Sequence, residues 1–240
     1  MIYITGDTHG DFDNEKINTR NFPQQKEMTK DDYIIICGDF GCVWYGDKII
    51  PDNYNVIDKS NAGKDAFLLT QYEKRNFTTL FVDGNHENHD LLKSYPTEIW
   101  NGGKVHRIRE SIIHLMRGQV YTINGYKFFT MGGASSTDKE WRKPKLSWWE
   151  NELPSDEEYQ EALSNLEKHN YSVDFFVTHC IGNNVMAQMG YIRKYDKLTA
   201  FFEELDTKLN YKTWFFGHYH LDKTYGKHEL LFERVLKIVP

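Results

Sequence analysis

No block of Lys or Arg stands out in this sequence, and the net charge over its 240 residues is −6. That argues against a protein whose main work is electrostatic capture of nucleic acid, although bound metal ions could make a local site cationic. Cysteine is scarce. Cys37, Cys42 and Cys180 are scattered, which points to a reducing compartment rather than a disulfide framework. No apolar run approaches the roughly 18 residues of a membrane span. The opening Met1-Ile2-Tyr3-Ile4 is broken by Asp7 and too short for a signal peptide. The expected setting is therefore cytoplasmic, with no membrane partner. There is no internal repeat, low-complexity tract or linker either, so residues 1–240 read as a single domain. With 40% hydrophobic and 15% aromatic residues, the chain is not disordered and can bury a sizeable core.

What is there is a series of short apolar runs, each ending in polar residues. Ile2 to Thr5 reads as a strand and is followed by Gly6-Asp7-Thr8-His9-Gly10-Asp11. Tyr33 to Cys37 is the clearest buried strand and runs into Gly38-Asp39-Phe40-Gly41. Leu80 to Val82 ends at the turn Asp83-Gly84, directly before Asn85, His86 and Glu87. Val173 to Thr178 ends at His179, and Thr213 to Phe216 ends at Gly217-His218-Tyr219-His220.

Helical spacing is expected over Ala66–Phe77 and Leu198–Leu209, and Pro23 to Thr29 could open a helix. Ser155 with Glu158 forms a capping-box pattern for a helix reaching about His169. Residues 98–131 hold several β-type runs with a hairpin signal at Asn124-Gly125, and read as an antiparallel region.

Asp7-x-His9, Asp39, Asn85-His86, His179 and His218-x-His220 are all metal-ligand types at strand ends. In α/β folds ligands gather beyond the carboxyl ends of strands, so dispersed residues of this kind can converge. The i, i+2 pairs place both members on one side of an extended segment. Carboxylate, imidazole and amide oxygen together suit borderline or hard divalent ions, unlike the thiolates of a structural zinc. Six or seven ligands are too many for one tetrahedral ion and suit two ions sharing a carboxylate.

Taken in order, GDTHG, GDF, GNHE, THC and GHYH span residues 6–220. They resemble the pattern of the calcineurin-like metallophosphoesterases: D-x-H, G-D, G-N-H-(D/E), H and G-H-x-H. The resemblance implies an α/β fold, a four-layer α-β-β-α sandwich of two mixed sheets. It also implies two divalent metal ions, with manganese first and iron, zinc, magnesium or nickel as alternatives. Asp7, His9 and His220 would bind one ion and Asn85, His179 and His218 the other, with Asp39 bridging both. His86 matches the catalytic histidine.

The implied function is metal-dependent hydrolysis of phosphoric esters. Two ions about 3.5–4 Å apart would clamp the phosphoryl oxygens, and a bridging hydroxide would attack phosphorus in line. A protonated His86 would donate to the developing negative charge or to the leaving oxygen. The substrate would be a phosphorylated small molecule, a nucleotide or a protein. The alternatives are a nuclease or cyclic-nucleotide phosphodiesterase of the same fold, and a non-catalytic interaction scaffold. A scaffold should have lost ligands or the catalytic histidine, whereas Asp39, Asn85 and His86 are all present. Asp39 is followed by Phe40-Gly41-Cys42-Val43-Trp44, without the Asp-Arg-Gly with which the protein Ser/Thr phosphatase branch continues its second motif, which counts against that activity.

Several further residues carry expectations. Asp83, Glu87 or Asp11 could orient His86. His89, His106, His114, His169 and His228 match no motif position and read mostly as surface or hairpin residues, with a supporting role beneath the site open for His89. Cys180 reads as a small residue packed under the site. The segment Trp141–Trp149 is either a packed flap or a lid in which Arg142 meets phosphate and a tryptophan stacks on the substrate. Gly132 to Ser136 could add backbone N–H donors for an anion. The long loop Trp44–Asn61 could border the site.

Overall fold

The computed structural model describes residues 1–45, 63–191 and 195–239. Most of the Trp44–Asn61 loop lies outside these residues. The strands are β1 (Ile2–Thr5), β2 (Tyr33–Ile36), β3 (Thr78–Phe81), β4 (Thr97–Trp100), β5 (Gly103–Arg109), β6 (Ile112–Leu115), β7 (Gln119–Ile123), β8 (Tyr126–Met131), β9 (Phe175–Thr178), β10 (Thr213–Phe216), β11 (Lys223–Tyr225), β12 (His228–Leu230) and β13 (Leu236–Val239). The helices are α1 (Lys64–Glu73), α2 (His89–Lys93), α3 (Asp156–Lys168), α4 (Asn183–Gln188) and α5 (Lys197–Lys208).

Two mixed sheets form. One has seven strands in the order β13-β1-β2-β3-β6-β5-β4, and the other six in the order β11-β12-β10-β9-β8-β7. The mostly apolar central strands follow from burial on both faces, because side chains alternate along a strand. Ile35 on β2 and Phe175 and Val177 on β9 enter the layer between the sheets. Ile34 and Ile36 turn the other way onto Leu68, Leu69 and Tyr72 of α1. Phe176, Trp214 and Phe216 pack outward on Ala162 and Leu166 of α3 and Phe202 and Leu205 of α5. Phe176 stacks on Trp214 with centroids 3.8 Å apart. Each such fully buried side chain contributes about 1.5–3 kcal/mol. The result is four layers, helix on sheet on sheet on helix.

Local signals act where the sequence places them. Ser155 and Glu158 cap α3 reciprocally, and Asn124 and Gly125 both take positive φ (50° and 83°) in the β7–β8 hairpin. The stretch from Pro23 forms only a short 3-10 turn, Pro23–Glu27. The region 98–131 is not one antiparallel sheet. β4, β5 and β6 join the first sheet, where β6 lies parallel to β3, whereas β7 and β8 join the second, where β8 lies parallel to β9. The runs are adjacent in sequence, but the break at Met116–Gly118 sends them to opposite layers. No helix of the described residues is long and apolar enough to cross a membrane.

Candidate metal centre

The ends of β1, β2, β3, β9 and β10 meet at one edge of the two-sheet layer and bring the strand-end residues together. Three groups of ligand atoms lie within 4.8 Å of one another: Asp7, His9 and His220; His9, Asp39 and His86; and Asp39, His179 and His218. Asn85 joins through its Oδ1, 3.2 Å from His179 Nε2. All seven expected ligands and His86 thus share one cluster, with Asp39 at its centre.

The backbone is bent to achieve this. His9, Asp39, His218 and His220 all take positive φ, at 41°, 47°, 70° and 50°. Each such non-glycine residue costs about 1–3 kcal/mol and persists only where its surroundings dictate it. The motif glycines are explained by close approach: a Cβ on Gly84 would collide with Asp39 Oδ1, and one on Gly217 with Asp7 Oδ1.

Hydrogen bonding fixes which nitrogen each imidazole offers. His179 Nδ1 lies 2.8 Å from the Cys37 carbonyl, which can only accept, so Nδ1 carries the proton. His179 Nε2 then faces Asp39 Oδ2 and Asn85 Oδ1, both acceptors, at 3.2 Å. His9 repeats the arrangement, with Nδ1 donating to Asp13 Oδ2 at 2.7 Å and Nε2 facing Asp39 Oδ2 at 3.2 Å. Asp39 has no Lys or Arg within ion-pair distance among the described residues. Inward nitrogens meeting only oxygens call for a proton or a metal ion between them. Outward N–H groups tied to a carboxylate or carbonyl are the usual support of metal-bound histidine.

The electrostatics agree. Burial pushes the His179 imidazole down, yet Asp39 and Asp7 override it and hold the charged form up to about 10. Burial likewise opposes ionisation of Asp39, but His179 and His9 bring its carboxyl well below the usual range. Among the described residues, the ion-pair partners of Asp39 are imidazoles alone.

His86 stands at the rim. Its backbone N–H donates to Asp39 Oδ1 at 2.7 Å. The Arg142 guanidinium lies 3.1 Å from its Nε2 and 3.4 Å from its Nδ1. Two guanidinium nitrogens thus face the two nitrogens of one imidazole. Arg142 is held there by Asp138 at 2.7 Å and by the Ser147 carbonyl at 3.1 Å. Burial lowers the His86 pKa, and Arg142 adds to this while Asp39 opposes it.

None of the acids expected to orient His86 does so. Asp83 faces away to Arg117 and His114, Glu87 accepts from the Phe40 N–H at 2.7 Å, and Asp11 pairs with Lys64. Most of the off-motif histidines are not at the surface either: His89, His106, His114 and His228 are buried. His106 and His114 face each other across β5 and β6, and His114 Nε2 reaches Asp83 at 3.2 Å. His89 also lies under the site, 3.9 Å from Asp83. Cys180 is buried in the core beside α4 and α5. Two N–H groups of the Gly132–Ser136 turn are committed inward, Gly133 to the Asp83 carbonyl and Ser136 to Glu152. In the Trp141–Trp149 segment, Trp149 is buried edge-on to Trp44 while Trp141 is 89% exposed.

Sequence reasoning missed Asp13, Lys16 and Arg117. Asp13 had a signal, four residues beyond His9 in the same loop. Lys16 is buried and donates to the carbonyls of Asp7 and Phe232, tying the first loop to the last strands.

A two-sheet α/β sandwich that gathers Asp, His and Asn donors at one strand edge has the metallo-dependent phosphatase fold. Residues 1–222 match the calcineurin-like phosphoesterase family, and the chain belongs to it. No curated protein matches by sequence. Among solved structures, a candidate 5′-nucleotidase from Staphylococcus aureus, crystallised in complex with α-ketoglutarate, aligns over 96% of this chain with a TM-score of 0.51 at 17% identity. This chain spans 47% of that longer protein, and the likeness is one of fold.

Proposed function

We propose that this protein hydrolyses phosphoric esters at a binuclear metal centre. Asp7, His9 and His220 would hold one ion and Asn85, His179 and His218 the other, with Asp39 shared. The observation that carries the reading is the pair of inward nitrogens, His9 Nε2 and His179 Nε2, that face only oxygens. Carboxylate, imidazole and amide donors suit manganese first, then iron, zinc, magnesium or nickel. Two such ions would supply positive charge for the phosphoryl oxygens and activate the attacking water.

The chain's own residues do the rest. Asp13 and the Cys37 carbonyl fix the rings of His9 and His179. The Asp39 carboxylate holds the His86 backbone, so His86 keeps station beside the shared ligand. From there its ring would hydrogen-bond the phosphoryl or leaving oxygen. Arg142, clamped by Asp138 and held against His86, would grip a phosphate oxygen with the donors it does not use.

The test is turnover of p-nitrophenyl phosphate and bis-p-nitrophenyl phosphate by protein reconstituted with Mn²⁺. His86→Ala is expected to lower kcat by about 10²–10⁴-fold with metal content unchanged. A variant rate near wild type would overturn the role of His86. Preference for the diester would favour a phosphodiesterase, with cyclic nucleotides or nucleic-acid ends as substrates. Two bound metals with no turnover on either ester would favour a scaffold.

A further inference from the structure

We propose that the groove beside His218 receives the organic group of the ester, and that this group is nucleoside-like: compact, uncharged, ring-bearing and able to donate hydrogen bonds along one edge. The proposal rests on the phosphoesterase reading above.

The groove runs from the metal cluster along the Ala134–Glu140 turn to the start of α5 and encloses about 600 Å³. That lies within the roughly 300–1,000 Å³ of small-molecule sites and is far more than a phosphate needs. His218 lines its inner end. So does Ser136, whose Oγ accepts from Asn85 Nδ2 at 3.2 Å. Whatever is attached to a phosphoryl group at the cluster has this groove as its neighbouring space.

The lining specifies the occupant. Leu153, Met186 and Tyr219 give an apolar surface, and Tyr195, 64% exposed, adds an aromatic ring on which a second ring could stack. The Ser135 and Thr137 hydroxyls also line the groove, and neither bonds to a described residue. Its charged groups disfavour an anion. Lys139 is committed to the buried Glu152 at 2.8 Å; of the acids on the lining, Asp196 caps α5 by accepting from the Thr199 N–H at 2.8 Å, and Glu140 is exposed. A second phosphate or a carboxylate would meet acids and no uncommitted lysine among these residues. A neutral ring system with N–H donors and hydroxyls meets acceptors at its edge and apolar surface on its face. A concave site of this size also suits a small ester better than the surface of a folded phosphoprotein.

The experiment compares adenosine 5′-monophosphate with glycerol 3-phosphate, two primary alkyl phosphates, on Mn²⁺-reconstituted enzyme, and titrates adenosine by calorimetry. The wild type should prefer the nucleotide in kcat/KM by about tenfold or more. Thr137→Trp, which fills the groove from an exposed position, should cut that preference ratio by about tenfold. Tyr195→Ala, at a surface ring whose loss should not disturb folding, should weaken adenosine binding by about two- to tenfold. Equal use of the two esters, or a ratio unmoved by Thr137→Trp, would overturn the proposal. Turnover of bis-p-nitrophenyl phosphate alone would make the enzyme a phosphodiesterase, and if no ester of either kind is turned over the phosphoesterase reading fails. The adenosine titration then decides the groove alone: binding lost in Thr137→Trp supports it, and no binding to wild type sinks it.

Discussion

Asp39 and Asp83 are two carboxylates in nearly the same place in the fold. Each follows one of the neighbouring parallel strands β2 and β3, and they are 1% and 2% exposed. Their surroundings differ in one respect. Asp83 has a permanent cation: Arg117 Nε and Nη2 donate to its Oδ2 at 2.9 and 2.5 Å, and His114 completes the other oxygen. Among the described residues, Asp39 has as ion-pair partners only histidines whose inward nitrogens need a proton or a metal before they can meet it. A buried carboxylate whose counter-charge is built into the chain is structure. One whose counter-charge must be supplied is a site.

The comparison breaks most plainly at Asp39. Asp39→Asn should abolish metal-dependent turnover, with metal affinity falling by more than the roughly 10–100-fold typical of lost supporting contacts. Stability of the metal-free protein should not fall, because the amide can keep the His86 N–H bond and donate to the facing imidazoles. Metal analysis and thermal melts with and without chelator check both halves. A metal-free variant much less stable than wild type would mean that Asp39 is a structural group like Asp83.

Arg117→Met inverts that pattern. It leaves the Asp83 charge buried and unpaired, which should cost about 3–5 kcal/mol in urea unfolding while metal content per folded chain is kept. Adding Asp83→Asn should recover part of the loss. The pair also predicts an acid response. Burial opposes ionisation, but Arg117 and His114 hold the Asp83 carboxyl well below its ordinary range. Its folded pKa is thus below the unfolded one near 3.9, so its contribution is fully present above that pH and is lost as pH falls toward the folded value. Wild-type stability should therefore drop steeply in that acid range, and Arg117→Met should show a shallower slope.

These two carboxylates also mark where the sequence stopped being legible. The strands could be read because their runs are apolar on both faces, as at Ile34, Ile35 and Ile36. The cluster could be read because its residues sit within one to five positions of a strand end, and most of the motifs include glycines that nothing larger could replace. Arg117 carries no such mark. It lies two residues beyond β6, as Asp83 lies two residues beyond β3, and only the parallel pairing of those strands makes them neighbours. His106 and His114 are hidden in the same way, as a cross-strand pair buried by a sheet whose order the sequence does not state. The acids proposed to orient His86 failed for a related reason. Proximity in sequence at a tight turn does not give the direction of a side chain, and Arg142, 56 residues away, is what reaches the ring.

The finest distinction lies one shell out from Asp39, at Asp13. It touches no inward-facing nitrogen, yet its Oδ2 accepts from His9 Nδ1 at 2.7 Å and so decides which His9 nitrogen faces the cluster. Asp13→Ala should weaken metal binding by about 10–100-fold, and Asp13→Asn, which keeps an acceptor without the charge, should fall at the low end. Asp13 is partly solvated and its removal buries no orphaned charge, so unfolding free energy should change by less than about 0.5 kcal/mol. A competition titration with a metal chelator, run beside urea unfolding, separates the two quantities. If Asp13→Ala bound metal as wild type does, the His9 ring would be held by its edge contacts to His86 and His220 instead. If it lost stability on the scale of Arg117→Met, Asp13 would belong with Asp83 among the structural carboxylates, and the line drawn at Asp39 would have to move inward.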